Sequence, residues 1–532
     1  MARGTSAEAE PVLDIHDIQG NILTAFNKDH QRLIALRLRS VPDARQWLRR
    51  ILPHINSLAE VNHFNNSYRM QRARLGHAPR GLTATWMNLA FSRDGIAKLT
   101  SDADADLLPD DAFRAGLAKR APLLGDPAPP GGGDPTVNWL VGGTNRPIDI
   151  FMILASDDDA ALRSMAERLR PGQQDGAAAP ETVWEEQGDA RDDLPGHEHF
   201  GFKDGISQPG VRGLLSNRPK VYLTARHLKR PPPGTIEFAK PGQPLIWPGH
   251  FVLGYPFGDR DNGSRQDAVP LARSWFRNGS FLVFRRLEQN VAAFAAFVAT
   301  EAARLSRLPG FSGITPNHLG ALMVGRWPSG APISRAPGED NADLAQDPLS
   351  NNDFLFTIDT PPPQFLPGHG KGVGNFLRAM EGTNGPICPH AGHIFKVNPR
   401  DHTTNIGPDF DTLTRRILRR GIPFGPSLDK PLASDDGVSR GLHFICYQAS
   451  ITEQFERLQQ DWANNDDAPK AGGHDLIIGQ TATAVRSMVL PSIVPDQAGD
   501  TITAPLQWVT PTGGGYFFAP SIPAIRDVIG AG

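Results

Sequence analysis

The sequence predicts a globular protein of mixed α and β structure with two similar halves. Strand patterns alternate with amphipathic helix patterns across residues 32–170, and the alternation starts again after residue 280. A chain of 532 residues, of which 39% are hydrophobic, is long enough for two or more domains with buried cores. The predicted elements have the lengths expected of one open α/β layer.

The first half is predicted to contain three strands, each followed by a helix. Residues 32–38 alternate apolar and basic side chains, as a half-buried strand does. The helix that follows has Pro42 and Asp43 in its first turn, where both residues are favoured. The elements of this half are strands at 32–38, 82–91 and 148–155, and helices at 42–52, 94–99 and 157–170.

The second half repeats the pattern without a clear sequence repeat. An apolar stripe through Val291, Phe294, Phe297 and Val298 predicts a helix over residues 289–305. The other elements are strands at 280–285, 394–397 and 442–447 and a helix at 452–462. Residues 210–275 are rich in Pro and Gly and fit no regular element, and 125–136 and 329–351 are predicted surface loops.

Composition excludes several classes of protein. A formal net charge of -3 gives no indication of nucleic acid or an anionic membrane as a partner. Cys388 and Cys446 are too few for a disulfide framework and have no metal-binding spacing. There is neither a secretory signal pattern at the N-terminus nor an apolar run of 18 residues. We therefore expect a soluble, cytoplasmic protein.

The segment Gly201–Gly210, GFKDGISQPG, places one acid between two glycines. Gly201 and Gly205 tolerate positive φ and add no bulk, so the Asp204 carboxylate can approach a bound ligand closely. Such an acid suits proton transfer at a crowded cofactor. In isolation, however, most strings of this kind are ordinary turns in which Asp bonds to its own backbone.

Two further segments carry groups with possible chemistry. Residues 388–400, CPHAGHIFKVNPR, contain His390 and His393, and either histidine could be a metal ligand or an ordinary core or surface residue. Residues 411–425, DTLTRRILRRGIPFG, are predicted to form a short helix with four arginines near its end, which complement the helix dipole. A buried arginine here would need an anionic partner.

Together these segments resemble the dye-decolorizing peroxidases. GFKDGISQPG is similar to the Gly-x-x-Asp-Gly signature of that family, CPHAGHIFKVNPR to its proximal histidine segment, and RRILRRGIPFG to its distal arginine segment. Four other stretches agree in order, so the resemblance spans nearly the whole chain. They are DIQGNILTAFNKDH at 17–30, NGSFLVFRRL at 278–287, VGRWPSGAPI at 324–333, and GLHFICYQASITEQFERLQQDWAN at 441–464.

The resemblance implies a site built around one haem b per chain. His393 would be the axial iron ligand, Asp204 the distal acid–base group and Arg419 the distal cation. Leu442 and Phe444 match positions that place apolar side chains over the haem, and Arg400 matches a position that can pair with a haem propionate. Two departures are that His390 stands where the family usually has an aromatic residue and Phe395 where it has an arginine.

The resemblance also implies the fold and the reaction. The fold would be α+β, with two ferredoxin-like domains of antiparallel sheet packed by helices, at 1–215 and 216–532, and haem in the second. The enzyme would reduce hydrogen peroxide to water and oxidise dyes, phenols or other small aromatic donors, with no nucleic acid or membrane partner. The length of the chain is similar to that of the longer, intracellular members of the family. Because Asp has an ordinary pKa of about 4, we expect dye oxidation to be fastest at acidic pH.

Three alternatives remain open from the sequence. A haem-handling protein of the same fold would bind or strip haem without significant peroxide turnover. A non-haem metalloenzyme would use His197, His199 and a carboxylate, where the two histidines otherwise form part of a polar loop. A structural or interaction protein would use the Gly-x-x-Asp-Gly segment only as a turn.

Overall fold

The computed structural model describes residues 9–77, 79, 81–203, 205–217, 224–232, 234–356, 364–367, 387–429 and 434–531. These residues form a nine-stranded sheet in which every pair of neighbouring strands is antiparallel. Its strands are β1 (His30–Arg37), β2 (Thr85–Phe91), β3 (Ile150–Ser156), β4 (Glu181–Asp189), β5 (Ser280–Gln289), β6 (Leu418–Arg419), β7 (Ile422–Phe424), β8 (Gly441–Gln448) and β9 (Val509–Ala519).

The strand order shows two copies of one topology. The order is β6-β8-β5-β9-β2-β3-β1-β4, and β7 also pairs with β8. The first four strands lie side by side in the order β4-β1-β3-β2, or 4-1-3-2. When β5, β6/β7, β8 and β9 are numbered 1 to 4 in chain order, they lie in the same 4-1-3-2 order. This is the βαββαβ pattern of ferredoxin-like units. The predicted fold class, with two ferredoxin-like units of antiparallel sheet, is confirmed, while the domain boundary at 215 stays a prediction.

The two units join edge to edge and the combined sheet curls. The Phe91–Phe518 pair connects β2 to β9. At the far edges β4 meets β7, where a side chain at Gly188 would collide with Ile422 and Pro423. The sheet therefore curls into a barrel-like form.

Several helices pack on the outer face of the sheet, as their sequences require. The helix Val41–Ile51 is capped by Ser40 and buries Ala44, Trp47, Leu48 and Ile51. Within the described residues the helices of the first half are Gly20–Leu23, Val41–Ile51, Leu58–Leu75, Arg93–Leu99, Asp102–Asp106, Asp111–Ala115, Leu117–Arg120 and Asp159–Leu169. Those of the second half are Val291–Leu305, Pro316–Val324, Ala342–Gln346, His393–Lys396, Asp409–Thr414, Ile451–Ala463, Ile522–Ala524 and Ile525–Ile529.

Short elements complete the fold. Single 3₁₀ turns lie at Leu52–His54, Gln173–Asp175, Pro248–His250, Ser274–Phe276 and Pro309–Phe311. Two parallel strand pairs join Gly210–Val211 to Leu245–Ile246 and Leu215–Ser216 to Thr224–Ala225. Two antiparallel pairs join Phe257–Gly258 to Arg265–Gln266 and Arg486–Leu490 to Asp500–Ala504. None of the helices seen in the described residues is long and apolar enough to cross a membrane.

The inner and outer faces of the sheet have separate cores. Alternate residues of β1 face opposite sides, with Ile34 and Leu36 in the outer cluster and Leu33 and Ala35 in the inner one. The inner core includes Phe151, whose ring stacks on those of Phe284 and Phe517 with centroids 4.7 and 5.0 Å apart. A third cluster packs helices Val291–Leu305 and Pro316–Val324 against Ile394 and Phe395, which fixes the helix that begins at His393.

Three expectations about secondary structure are wrong. Residues 394–397 do not form a strand, because His393–Lys396 is one turn of helix. The helix expected over 411–425 ends at Thr414, and the rest of the segment contains β6, which includes Arg419, and β7, both paired with β8. The sheet is antiparallel and curled, not an open α/β layer. An alternation of strands and helices along the sequence does not determine whether neighbouring strands are parallel or antiparallel. Here β2 and β3 are antiparallel neighbours in the sheet, although a long connection lies between them in the chain.

Candidate active site

A cavity of about 640 Å³ lies where the three candidate segments meet. That volume is within the range of small-molecule and cofactor sites. Five of the six candidate site residues line it, namely His393, Arg400, Arg419, Leu442 and Phe444. The sixth, Asp204, lies outside the described residues, and the residues on either side of it, Lys203 and Gly205, line the cavity.

His393 begins its short helix and is oriented by a buried carboxylate. Its Nδ1 lies 2.7 Å from Oδ2 of Asp475, a fully buried residue 82 positions later in the chain. Because a carboxylate only accepts, Nδ1 carries the hydrogen, and in the neutral ring Nε2 keeps its lone pair. A carboxylate behind a histidine is typical of metal-ligating imidazoles and raises their basicity.

The Asp475 carboxylate is itself held on both oxygens. Oδ1 accepts the backbone N–H groups of Ile477 and Ile478 at 2.8 and 3.1 Å, while Oδ2 faces His393. Sequence reasoning missed Asp475 because no spacing relates it to the histidine. The only local signal was an acid directly before the apolar run Leu476-Ile477-Ile478.

Arg419 connects the arginine segment to the glycine loop. It lies on β6, opposite Cys446 of β8, and its Nη2 donates to the backbone oxygen of Ser207 at 3.0 Å. Gln208 reaches both backbone groups of Arg419 at 3.4 Å. The two segments that the sequence suggested as partners are therefore in direct contact through Ser207 and Gln208.

The glycine loop is braced from one side by Glu198. Its carboxylate accepts the backbone N–H groups of Phe200 and Phe202 at 2.7 and 2.9 Å, and the Gln289 amide at 2.5 Å. Gly201 has a φ of 91°, which glycine adopts without strain.

The wall beside Arg419 is apolar. Leu442 and Phe444 alternate along β8, so both side chains leave the sheet on the cavity side. His443 points the opposite way, is fully buried, and places Nε2 2.6 Å from Oε2 of Glu186. The Phe444 ring packs against that of Phe455, with centroids 5.9 Å apart.

Arg400 is buried and largely engaged by the protein. Its Nη1 donates to the backbone oxygens of Asn352 and Phe354 at 3.2 and 2.6 Å, and its Nη2 donates to Asn352 Oδ1 at 2.6 Å. Its guanidinium also lies 3.5 Å from the Phe354 ring centroid. Burial and the neighbouring charge of Arg326 lower the pKa of Arg400 well below its ordinary value.

The two departures from the family pattern pack against each other. The rings of His390 and Phe395 stack with centroids 4.7 Å apart, and His390 Nδ1 lies 3.2 Å from the Ala471 oxygen. Neither residue lines the cavity. The structure therefore distinguishes the two histidines, since His393 lines the cavity and His390 does not, whereas their spacing in the sequence does not distinguish them.

The alternative metal site is not formed by the part of the chain that the structure describes. His197 Nε2 lies 2.8 Å from the Pro328 oxygen and His199 Nε2 lies 2.9 Å from the Phe424 oxygen. Burial lowers the pKa of His199 to about 4, so its ring is neutral at physiological pH. No group of three or more His, Cys, Asp or Glu side chains among the described residues has the arrangement of a metal site.

Comparison with known proteins identifies the family. Residues 17–192 match the model described as the DyP dimeric alpha+beta barrel domain, and residues 375–471 match that of the Dyp-type peroxidase C-terminal region. Peroxidase 2 of Mycetinis scorodonius is 31% identical over 548 residues, which cover 99% of this chain and 90% of the relative. The chain belongs to the dye-decolorizing peroxidase family. It is therefore a peroxidase, and the predicted enzyme class is confirmed.

Solved structures of dye-decolorizing peroxidases agree over the full length. An ancestral D-type dye-decolorizing peroxidase is 32% identical with a TM-score of 0.75, covering 98% of this chain and 100% of that one. A dye-decolorizing peroxidase in complex with 2,6-dimethoxyphenol is 30% identical with a TM-score of 0.70, over the same shares of the two chains.

The cavity wall of this peroxidase fits the haem that its family is expected to bind. His393 offers an oriented imidazole nitrogen backed by Asp475. Leu442 and Phe444 offer apolar surface for a flat macrocycle, and arginines on the wall offer cations for its carboxylates. The donor set is thus the one that a histidine-ligated haem requires.

Proposed function

We propose that this peroxidase binds one haem b in the cavity, where His393 would ligate the iron, and uses it to reduce hydrogen peroxide and oxidise aromatic donors. The observation that carries the proposal is the His393–Asp475 pair, which frees Nε2 of a cavity-lining histidine for a metal. When bound, the haem would supply the electron transfer from donor to peroxide. Arg400, Leu442 and Phe444 would help to hold it.

Asp204 is proposed to move the proton that peroxide reduction requires. The acid would take a proton from one peroxide oxygen and return it to the other, so that water leaves when the O–O bond breaks. Support comes from its place in the glycine segment and from the cavity-lining residues on either side. A carboxylate with an ordinary pKa of about 4 performs this exchange best at acidic pH.

Arg419 is proposed to stabilise the negative charge on the leaving oxygen. A guanidinium offers a delocalised positive charge. That of Arg419 donates to the Ser207 oxygen, while Gln208 binds the Arg419 backbone, so both contacts hold Arg419 against the glycine loop before peroxide arrives. Leu442 and Phe444 would exclude water from the same region, which strengthens the electrostatic effect.

The reducing substrates are proposed to be phenols and dyes. One structural relative is a complex with 2,6-dimethoxyphenol, and the relatives are named for dye decolorization. Such donors give up one electron at a time, so two donor molecules would balance each peroxide, with two protons, to give two waters.

The ligand assignment can be tested with two matched histidine variants. His393→Ala should purify without a Soret band and without dye oxidation, because the metal-directed nitrogen is lost. His390→Ala, which removes a ring that does not line the cavity, should keep both. Normal haem content in His393→Ala, with loss in His390→Ala, would refute the assignment. Full haem in the wild-type protein without any peroxide turnover would favour a haem-handling role instead.

A further inference from the structure

The four arginines of segment 411–425 differ in how they are partnered. Arg415 pairs with Asp411 at 2.9 Å and with Glu453 at 2.5 Å. Arg420 is buried and donates to the backbone oxygens of Asn21 and Ile22, both at 2.9 Å. Arg419 donates to Ser207. Three of the four guanidiniums therefore have partners in the protein.

Arg416 is the exception within the described residues. It lines the cavity, its Nε is buried without an acceptor, and its guanidinium has no hydrogen-bond or ion-pair partner there. Burial, with a contribution from the Arg419 charge, lowers the pKa of Arg416 to about 9. A sequestered cation without a counter-ion is costly, so this arrangement points to an anion that comes from outside the described residues.

The acidic side chains described on the cavity wall do not supply that anion. Asp126 is buried and binds the Arg285 guanidinium at 2.7 and 2.8 Å. Glu198 accepts the Phe200 and Phe202 backbone groups and the Gln289 amide.

Arg400, the residue that the family resemblance assigns to a propionate, has fewer uncommitted N–H donors than Arg416. Both of its terminal nitrogens are occupied by Asn352, and Nη1 also donates to the Phe354 oxygen. All five N–H donors of Arg416 are uncommitted within the described residues, and a guanidinium fork matches a carboxylate bidentately. We propose that Arg416 is the principal cation that binds a carboxylate of the haem. This inference rests on the proposed function, because the haem brings the carboxylate.

The expected effect follows from the strength of a charged hydrogen bond. A hydrogen bond to a charged group in a site of this kind changes affinity by about 10- to 100-fold. Removing the guanidinium should therefore raise the rate of haem loss by about that factor, without changing the axial ligand.

The test measures haem transfer from the full-length holoprotein to excess apomyoglobin. Arg416→Met should lose haem about 10- to 100-fold faster than the wild type, and Arg416→Lys should recover part of the difference, because it keeps the charge without the fork. Arg307→Met, at an exposed position, is the control and should match the wild type. A rate for Arg416→Met within twofold of the wild type would overturn the proposal.

Haem dimethyl ester distinguishes two causes of faster haem loss, namely a lost contact with a haem carboxylate and a change in packing. It carries no negative carboxylates, so wild type and Arg416→Met loaded with it should lose it at equal rates. The proposal would be overturned if Arg416→Met speeds the loss of the ester as much as the loss of haem. It would also be overturned if Arg400→Met, and not Arg416→Met, speeds the loss of haem without speeding the loss of the ester. If Arg416→Met does not fold, Arg416→Lys carries the same comparison, with melting temperature as the check. A wild-type chain that takes up neither haem nor ester would refute the proposed function itself.

Discussion

Replacing Asp475 by Asn is the sharpest test of how the fold orients His393 for its proposed role as iron ligand. The Asp475 carboxylate accepts hydrogen bonds on both oxygens, from His393 on one side and from two backbone N–H groups on the other. An amide has one accepting oxygen and one donating nitrogen. It therefore satisfies only one side.

Both orientations of the new amide carry a penalty. If its oxygen faces His393, its NH₂ group opposes the N–H groups of Ile477 and Ile478, and each buried group left unsatisfied costs about 1–3 kcal/mol. If its NH₂ group faces His393, the imidazole must carry its hydrogen on Nε2, the nitrogen proposed to bind iron. A change next to a ligating histidine typically weakens metal binding by about 10- to 100-fold, or about 1.4–2.8 kcal/mol.

The assay is the rate of haem transfer to apomyoglobin, together with the reduction potential of the haem. Asp475→Asn should lose haem about 10- to 100-fold faster and have a higher potential, because the histidine donates less electron density without the carboxylate. The exposed Asp467→Asn is the matched control and should behave as the wild type. Wild-type haem loss and potential in folded Asp475→Asn would refute this reasoning.

Three other predictions follow from the site and its supports. Arg419→Leu should lower kcat/KM for peroxide by about 10²- to 10³-fold, measured by steady-state dye oxidation, with Arg419→Lys in between; an unchanged value would exclude charge stabilisation by this residue. Glu198→Gln should slow the reaction with peroxide at unchanged haem content, because an amide cannot accept all the loop's N–H groups; the exposed Glu167→Gln should not. Burial alone would raise the pKa of Glu186, but hydrogen bonds from His443 and Arg286 lower it to about 2. Its contribution to stability is therefore present above pH 4.5 and lost as pH falls toward 2, so melting temperatures of wild type and Glu186→Gln should converge over that interval, and a constant difference would contradict the pairing.

Local patterns predicted the elements that have regular periodicity. The helices Val41–Ile51 and Val291–Leu305 and the strands β1 and β8 lie within a few residues of the predicted positions. Four strands of the sheet were missed. Two are the short β6 and β7, where the sequence predicted a helix, and the others are β4 and β9. Strand β9 contains Pro511 and the run Gly513-Gly514-Gly515. Those glycines accommodate close backbone contacts, since a Cβ on Gly513 would lie 3.0 Å from the Val141 oxygen and one on Gly514 2.4 Å from the Phe284 oxygen.

The site was predictable where the resemblance supplied the residues, and not where contacts are made across the fold. His393, Arg400, Arg419, Leu442 and Phe444 all reach one cavity. Asp475 could not be linked to His393 because 82 residues separate them. Tertiary packing also decided the arginine segment, since the chain leaves the helix after Thr414 and then pairs with β8 through Leu418–Arg419 and Ile422–Phe424.

The most direct measurement of the central claim is the absorption spectrum of the purified protein before and after one equivalent of hydrogen peroxide, for wild type and Asp204→Asn. The account predicts a Soret band in both, which shifts rapidly in the wild type and about 10²- to 10⁴-fold more slowly in Asp204→Asn, because proton transfer is lost while the haem stays bound. A wild-type protein without a Soret band, or equal rates in the two proteins, would contradict it.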